Sequence, residues 1–355
     1  MYLIWNPNPI LFQSGDFAIG WYGLLFTLGF FLSQRLIIFV YHREKKPELD
    51  VLLLYLIAGA VIGARLGHVL FYDPAYFLLH PLAILKVWEG GLASHGAVAG
   101  MVIALWLFSK RHPDHAFFWL LDRITIVALM TGALVRVGNF INSEIVGIPT
   151  GAGYGVVFAA DAVREIGQQP GVMQVSVERR TEPSESRPGL VPLTLAIDVR
   201  TSGTPPAFME NFFHHTLYPA VFKQPGVRQS FQETGGTSES ETVVPIQGGF
   251  EGKFNVLGIA RHPVQLYEAA VALALGIWLF TIWWKKKSAV PPGLLIGWCL
   301  VLLFASRFLL EYLKEDLIPI EAGLPLKIGQ LLSIPFIALG VWLVRRAQIL
   351  PTHAP

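Results

Sequence analysis

The chain has 355 residues, of which 53% are hydrophobic and only 15% are charged, and its mean hydropathy is +0.51. Soluble domains carry about 25% charged residues, so this composition excludes an ordinary soluble protein and a disordered chain. A single cysteine excludes a disulfide scaffold, and a formal net charge of +2 gives no reason to expect a nucleic-acid partner.

Seven apolar stretches are long enough to cross about 30 Å of hydrocarbon as helices. In chain order they cover residues 19–40, 51–71, 92–108, 117–137, 264–284, 293–313 and 328–344. The sequence therefore predicts an all-α polytopic membrane protein with seven transmembrane helices.

Short basic loops follow every second stretch and set the orientation. Lysine and arginine accumulate on the cytoplasmic side of membrane proteins. The loops after the first, third, fifth and seventh stretches contain Arg43, Lys45, Lys46, Lys110, Arg111, Lys285, Lys286, Lys287, Arg345 and Arg346. This pattern predicts an N-terminus outside the cell and a cytoplasmic C-terminus.

The longest interruption of the apolar pattern, residues 147–260, falls on the outer side in this topology. Alternating apolar and polar residues at 173–178 and 193–199 are typical of strands, and residues 227–245 are predicted to form a mobile loop. We therefore expect transmembrane helices 1–4 in residues 1–146, an inserted extracytoplasmic α+β or mostly β head in 147–260, helices 5–7 in 261–346 and a cytoplasmic tail in 347–355.

Ionisable side chains inside the predicted helices are costly, at about 2.5–3.5 kcal/mol each, and mark candidate functional positions. Those of Arg65, His95, Arg136, Arg307 and Glu311 lie near the same outer level in this topology. The structural alternative is a set of interfacial anchors and helix–helix ion pairs. Four basic residues against three acidic ones favour a cationic pocket for a lipid phosphate. The residues counted are Arg65, Arg136, Arg307 and Lys314 against Glu144, Glu268 and Glu311.

Gly59, Gly63 and Gly67 are spaced four residues apart in the second stretch. Small residues at this spacing allow two helix backbones to approach closely. We interpret these glycines as helix-packing residues.

Residues 135–144, which read VRVGNFINSE, end the fourth stretch with an arginine, two carboxamides and a carboxylate. A guanidinium grips phosphate oxygens and amides orient hydroxyls, so the run suits a phosphoester headgroup, with a polar helix end as the structural alternative. Further motifs are WYG at 21–23, GARLG at 63–67, SHG at 94–96, RHPVQLYE at 261–268, and Arg307 followed by Glu311. Together these motifs resemble the prolipoprotein diacylglyceryl transferase family.

The resemblance implies a transferase and its reaction. The diacylglyceryl group of phosphatidylglycerol moves to the thiol of a lipobox cysteine in a prolipoprotein, which leaves a thioether and releases glycerol 1-phosphate. It also implies a multi-pass protein of the bacterial cytoplasmic (inner) membrane with an active site toward the outer leaflet.

Motif positions then assign expected roles. His95 is the expected general base, and Arg136 with Arg307 is expected to hold the phosphatidylglycerol headgroup. The expected catalytic residues are His95, Arg136, Arg307, Glu144 and Glu311. The expected substrate-binding residues are Tyr22, Arg65, Asn139, Asn142, Gly147, Arg261, Gln265, Tyr267, Glu268 and Lys314.

The expected partners are phosphatidylglycerol, lipobox-containing prolipoproteins and membrane lipids, without nucleic acid, metal or cofactor, and with a monomeric enzyme. Three other classes of protein remain open from the residues alone. They are a transporter of an anionic solute, an intramembrane peptidase and a non-catalytic lipid-binding or assembly protein.

Overall fold

The computed structural model describes residues 1–15, 17–46, 49–180, 187–201, 205–233, 242–315 and 325–349. Its α-helices are α1 (Trp21–Glu44), α2 (Leu49–Phe71), α3 (Pro74–Leu79), α4 (Ser94–Arg111), α5 (Phe117–Ile141), α6 (Ala160–Gly167), α7 (Pro206–Phe212), α8 (Tyr218–Val221), α9 (Pro225–Ser230), α10 (Val264–Lys286), α11 (Leu294–Leu310) and α12 (Ile328–Ile349). The strands are β1 (Tyr2–Trp5), β2 (Ile10–Ser14), β3 (Phe17–Gly20), β4 (Gly155–Phe158), β5 (Val172–Arg179), β6 (Leu190–Arg200), β7 (Phe231–Glu233), β8 (Thr242–Ile246) and β9 (Gly249–Ile259).

Within the described residues, six helices are long and apolar enough to cross a membrane: α1, α2, α5, α10, α11 and α12. This agrees with a polytopic membrane protein. The predicted third span, residues 92–108, corresponds to α4, which has only 18 residues and is not among the six. Polar residues occupy both ends of α4, with Ser94 and His95 at its start and Lys110 and Arg111 at its end. The seventh span and the orientation remain predictions.

The chain divides into two compact units. We call Thr27–Ala133, Ala270–Phe308 and Ile328–Pro355 the helical unit, and Met1–Phe26, Leu134–Ala269 and Leu309–Lys327 the mixed unit.

The helical unit is built around a core of buried aromatic and aliphatic side chains, among them Tyr41, Phe108, Leu120, Trp283 and Leu295. Helices α2 and α4 of this unit approach closely through glycines. A Cβ built on Gly67 would lie 2.8 Å from the Cα of Gly96, and one on Gly63 would lie 2.8 Å from the Cα of Gly100. The predicted packing role of these glycines is confirmed, because a larger residue would force the two backbones apart.

The mixed unit contains an antiparallel sheet with the strand order β5-β6-β9-β7, in which β8 also pairs with β9. Alternate residues of β6 from Val191 to Val199 are buried and form one face of the core. The strands predicted at 173–178 and 193–199 are confirmed by β5 and β6. The first strand of the chain, β1, pairs in parallel with β4.

The loop predicted at 227–245 is wrong at both ends. Its first residues belong to α9 and β7, and its last belong to β8. The two strands form because they pair with residues 256–258 and 249–253 of β9. Residues 234–241 lie outside the described residues, as do residues 350–355 of the predicted tail. The division of the chain at 146, 260 and 346 stays a prediction.

Candidate functional site

The carboxylate of Glu144 is held by two carboxamides at the end of α5. Asn139 donates from Nδ2 to Oε2 at 2.7 Å, and Asn142 donates from Nδ2 to Oε1 at 3.1 Å. Asn139 is buried, whereas Glu144 is exposed. Nη1 of Arg136 donates to Oδ1 of Asn139 at 3.4 Å. The structure thus brings together the four polar residues that the motif predicted.

The backbone on both sides of Glu144 is strained. Ser143 has φ 58° and Ile145 has φ 56°, both in the left-handed region. Each costs about 1–2 kcal/mol in an L-residue, and the conformation is most unusual for a β-branched side chain. Strain of this kind is typical of functional sites, where the surrounding structure imposes it. No pattern in the sequence predicts this turn.

Tyr22 packs on the same segment of α5. A Cβ built on Gly138 would lie 2.9 Å from Cδ2 of Tyr22 and 3.3 Å from its Cα. Glycine at this position therefore lets Tyr22 lie beside the residues that follow Arg136.

A chain of ion pairs links residues far apart in sequence. Nε of Arg136 lies 2.8 Å from Oε2 of Glu268, and Nζ of Lys314 lies 2.7 Å from Oε1 of the same carboxylate. Lys314 also lies 3.2 Å from Oε2 of Glu311. We call Arg136, Asn139, Glu144, Glu268, Glu311 and Lys314 the Arg136 cluster.

The charge of this cluster differs from the sequence expectation. Its two cations, Arg136 and Lys314, stand against the three carboxylates of Glu144, Glu268 and Glu311. The predicted basic surplus is therefore not carried by this cluster. The ion pairs instead allow carboxylates and cations to share a partly buried position.

Arg136 keeps unused hydrogen-bonding capacity in this arrangement. A guanidinium has five N–H donors. Nε faces Glu268 and Nη1 donates to Asn139, while Nη2 has no hydrogen-bond partner among the described residues. The side chain is 26% exposed. Arg136 is thus held in one orientation with donors left for an anion.

Arg261, an expected substrate-binding residue, uses its N–H donors on backbone carbonyls of the mixed unit. Its Nε donates to the backbone carbonyl of Gln229 at 3.0 Å, and Nη1 donates to that of Gly147 at 3.1 Å. Nη1 also lies 3.2 Å from Oε2 of Glu315, a residue that the sequence did not single out. The side chain is buried, so this geometry supports a structural role.

Gly147 is wedged between two backbone segments. A Cβ at this position would lie 2.5 Å from the carbonyl oxygen of His262 and 2.8 Å from that of Leu313. Its N–H donates to the carbonyl of His262 at 3.1 Å, and it forms an isolated β-bridge with Lys314. The requirement for glycine follows from this close approach.

Two further expected residues, Gln265 and Tyr267, lie at the start of α10. Gln265 is fully buried and donates from Nε2 to the backbone carbonyl of Glu144, while its Oε1 has no partner among the described residues. The hydroxyl of Tyr267 lies 3.4 Å from Nδ1 of His262. Burial lowers the pKa of His262 from its ordinary value. His262 lies in the RHPVQLYE motif, but the sequence did not single it out as a site residue. Its contacts with Tyr267 and Gly147 place it beside the expected site residues.

Three expected residues belong to the helical unit. His95 is exposed near the start of α4, with its ring centroid 5.2 Å from that of Phe71 and 6.1 Å from that of Tyr72. Arg307 is half-buried in the last turn of α11. Arg65 is buried, and its guanidinium donates to backbone carbonyls of the chain between α2 and α4.

Six helices of membrane-spanning length within the described residues, together with a partly exposed arginine that has unused donors, are typical of a membrane protein that handles an anionic group. A family model described as prolipoprotein diacylglyceryl transferase matches residues 9–346. The chain belongs to this family and is a transferase. This assignment argues against the transporter, peptidase and non-catalytic alternatives.

Individual relatives agree with the family model. A protein of Tolumonas auensis is 36% identical over 344 residues, which cover 96% of both chains. One of Chloroherpeton thalassium is 34% identical over 354 residues, covering 98% of this chain and 97% of that protein. One of Porphyromonas gingivalis is 31% identical over 354 residues, covering 98% and 95%. Each is named phosphatidylglycerol–prolipoprotein diacylglyceryl transferase.

Proposed function

We propose that this protein transfers the diacylglyceryl group of phosphatidylglycerol to the lipobox cysteine of prolipoproteins, the first step of lipoprotein maturation. The thiol sulfur attacks the lipid glycerol carbon next to the phosphate. A carbon–sulfur bond forms, the carbon–oxygen bond breaks, and the electron pair leaves on glycerol 1-phosphate. Family membership and the names of the relatives support this reaction.

The orientation of Arg136 is the observation that carries the proposal. Glu268 and Asn139 hold its guanidinium while Nη2 keeps its donors. The leaving phosphate gains negative charge as the carbon–oxygen bond breaks, and a preorganised donor stabilises that charge in the transition state. Arg307 is the second cation in this role, and Arg136 and Arg307 together contribute more than proton transfer does.

Proton transfer from the thiol is assigned to His95. A thiol with a pKa near 8.5 is only a few per cent ionised at pH 7, so a base accelerates its attack. An imidazole has an ordinary pKa near 6.5 and suits this task. The exposed position of His95 leaves its ring accessible to a peptide thiol.

The remaining cluster residues orient the headgroup. Glu144, held by Asn139 and Asn142, offers acceptor oxygens to the glycerol hydroxyls. Tyr22, Gln265 and Tyr267 support this cluster, in which Glu311 pairs with Lys314. The enzyme acts as a monomer in the bacterial inner membrane and has seven spans. The distribution of basic loops favours a site that faces the outer leaflet.

Purified enzyme in phosphatidylglycerol vesicles with a lipobox peptide tests the proposal. Mass spectrometry of the peptide should show the added diacylglyceryl group, and Arg136→Ala should lower the rate by about 100-fold or more. Arg164→Ala is the matched control, because Arg164 forms an exposed ion pair with Asp161 on α6. An unmodified peptide with the unaltered enzyme, or near-normal transfer by Arg136→Ala, would refute the proposal.

A further inference from the structure

The chain between α2 and α4, residues 72–93, is unusually apolar on its surface; we call it the connecting segment. It contains the short helix α3 and two 3₁₀ turns, Pro81–Leu85 and Val87–Glu89. Leu78, Leu79, Leu82 and Trp88 are 76–83% exposed. The segment continues directly from α2, a helix of membrane-spanning length. Contact of so many adjacent apolar side chains with water is unfavourable in free energy, whereas contact with lipid is favourable.

A single buried arginine of α2 holds this segment from within. Arg65 donates from Nε to the carbonyl of Ile84 at 2.9 Å and from Nη2 to that of Ala83 at 2.5 Å. Nη1 donates to the carbonyls of Gly90 at 2.6 Å and Gly91 at 3.1 Å. These bonds occupy four of the five N–H donors of the guanidinium. Arg65 therefore has little capacity left for a phosphate, in contrast to Arg136.

The return of the segment to α2 also depends on Arg65. Gly91 has φ 70°, and a Cβ there would lie 2.9 Å from Nη1 of Arg65 and 2.7 Å from Nε2 of His68. Two residues later, the N–H of Ala93 donates to the carbonyl of Ala64 at 2.9 Å. Both contacts attach the end of the segment to the same turn of α2.

His95 follows two residues after Ala93. Its ring lies against Phe71 and Tyr72, where α2 ends and the connecting segment begins. The position of His95 therefore depends on the chain closing between the two helices. This closure is what the four bonds of Arg65 stabilise.

We propose that Arg65 is a positioning residue: it pins a lipid-facing connecting segment to α2 and thereby fixes the start of the helix that carries His95. Its effect on turnover rests on the proposed function of His95, whereas its effect on the segment does not. Arg65 acts through backbone carbonyls rather than by binding the substrate anion, which revises its expected role in substrate binding.

A nitroxide label at Leu79→Cys, in a Cys299→Ala background, reports on the segment without any need for activity. In phosphatidylglycerol vesicles the label should collide with oxygen and be shielded from a water-soluble nickel complex. A label at Gln174→Cys, an exposed position on β5, is the aqueous reference. A label at Leu79→Cys as open to nickel as this reference would overturn the lipid-facing assignment.

The variant Arg65→Lys keeps the charge but cannot reach four carbonyls. We expect a more mobile label at Leu79→Cys and a kcat at least about tenfold lower, with less than a twofold change in the phosphatidylglycerol mole fraction at half-maximal rate. Arg111→Lys, on the exposed end of α4, should change neither. An unchanged label together with a raised half-maximal mole fraction would show that Arg65 binds the lipid phosphate, and would refute the proposal.

Gly91→Ala provides an independent variant should Arg65→Lys fold poorly. The added methyl group displaces Arg65 and His68, so the same rise in label mobility is expected. A rigid label in Gly91→Ala would contradict the proposal. Absence of transfer activity in the unaltered enzyme would instead refute the proposed function, and the label measurements would still test the role of Arg65.

Discussion

Two arginine–carboxylate networks in this protein differ in what they leave unused. In the helical unit, Arg123 and Glu44 form an ion pair at 2.9 Å with both side chains 0% exposed. Glu44 also accepts from the indole N–H groups of Trp119 and Trp283, and Nη2 of Arg123 donates to the carbonyl of Lys287. The oxygens of this carboxylate are occupied, and Nη1 of Arg123 has no hydrogen-bond partner among the described residues but is buried. Burial closes the pair to any ligand.

The Arg136 cluster of the mixed unit is open by comparison. Arg136 is partly exposed, Nη2 keeps its donors, and the neighbouring Glu144 is exposed between two left-handed residues. Buried charge is therefore not by itself the mark of a functional site. A fixed orientation combined with exposed, unused donors is the better sign, and the following changes test this difference.

The largest effect on stability is expected for Arg123→Ala. Removal of the guanidinium leaves Glu44 charged and buried without its partner, which costs about 3–5 kcal/mol. Thermal unfolding in detergent should show a clear decrease in Tm. Arg345→Ala, at an exposed position on α12, should stay within about 0.5 kcal/mol. Equal Tm values for the two variants would contradict the closed network.

Arg136→Ala should lower the transfer rate much more than it lowers the stability. Its ion pair with Glu268 is partly buried, but Glu268 keeps Lys314 as a partner when Arg136 is removed, so the loss of stability should be smaller than for Arg123→Ala. Transfer should nevertheless fall by about 10²–10³-fold, since a transition-state donor is lost. Arg136→Lys should recover only part of the rate, because an ammonium lacks the planar fork of a guanidinium. If Arg136→Ala unfolds so readily that unfolding explains the whole loss of transfer, the Arg136 cluster would not differ from the Arg123–Glu44 network in function.

Glu268→Gln tests whether orientation matters apart from the presence of Arg136. The carboxylate holds Nε of Arg136 by charge attraction at 2.8 Å, which a neutral amide lacks, so transfer should fall by about 10- to 100-fold with the protein still folded. The matched control is Glu251→Gln, since Glu251 pairs with Lys253 on the sheet at 3.1 Å. Steady-state rates of the two variants give the comparison, and similar rates would show that Glu268 does not orient Arg136.

The smallest effect is expected for Trp283→Phe. This change removes one indole donor to Glu44 and should cost about 1 kcal/mol of unfolding free energy. Trp284→Phe is the adjacent, exposed control and should stay within about 0.5 kcal/mol. Tm values for both variants in the same detergent decide whether this donor stabilises the closed network.

The fold could be predicted from the sequence where one local pattern dominates. Apolar stretches matched the six long helices found in the described part of the chain, and alternation matched β5 and β6. Prediction failed where local patterns are weak, as at both ends of the loop predicted at 227–245, because pairing with β9 makes residues 231–233 and 242–246 strands.

The candidate site was recognisable in part. Arg136, Asn139, Asn142 and Glu144 stand within nine residues, so one helix end brings them together. Partners separated by long stretches of chain could not be assigned in this way. Glu44 and Arg123, 79 residues apart, give no sign of their pairing in the sequence.

The amino-acid sequence by itself determined the membrane class, the long helices, the glycine packing of α2 and the polar run of α5, because each depends on neighbouring residues along the chain. Only the tertiary structure decided that Glu268 pairs with Arg136 and that Lys314 joins Glu268 to Glu311. It also decided that Arg65 is bound to carbonyls of the connecting segment. The reason is physical: hydrogen bonds and ion pairs depend on distances between atoms that chain order does not specify.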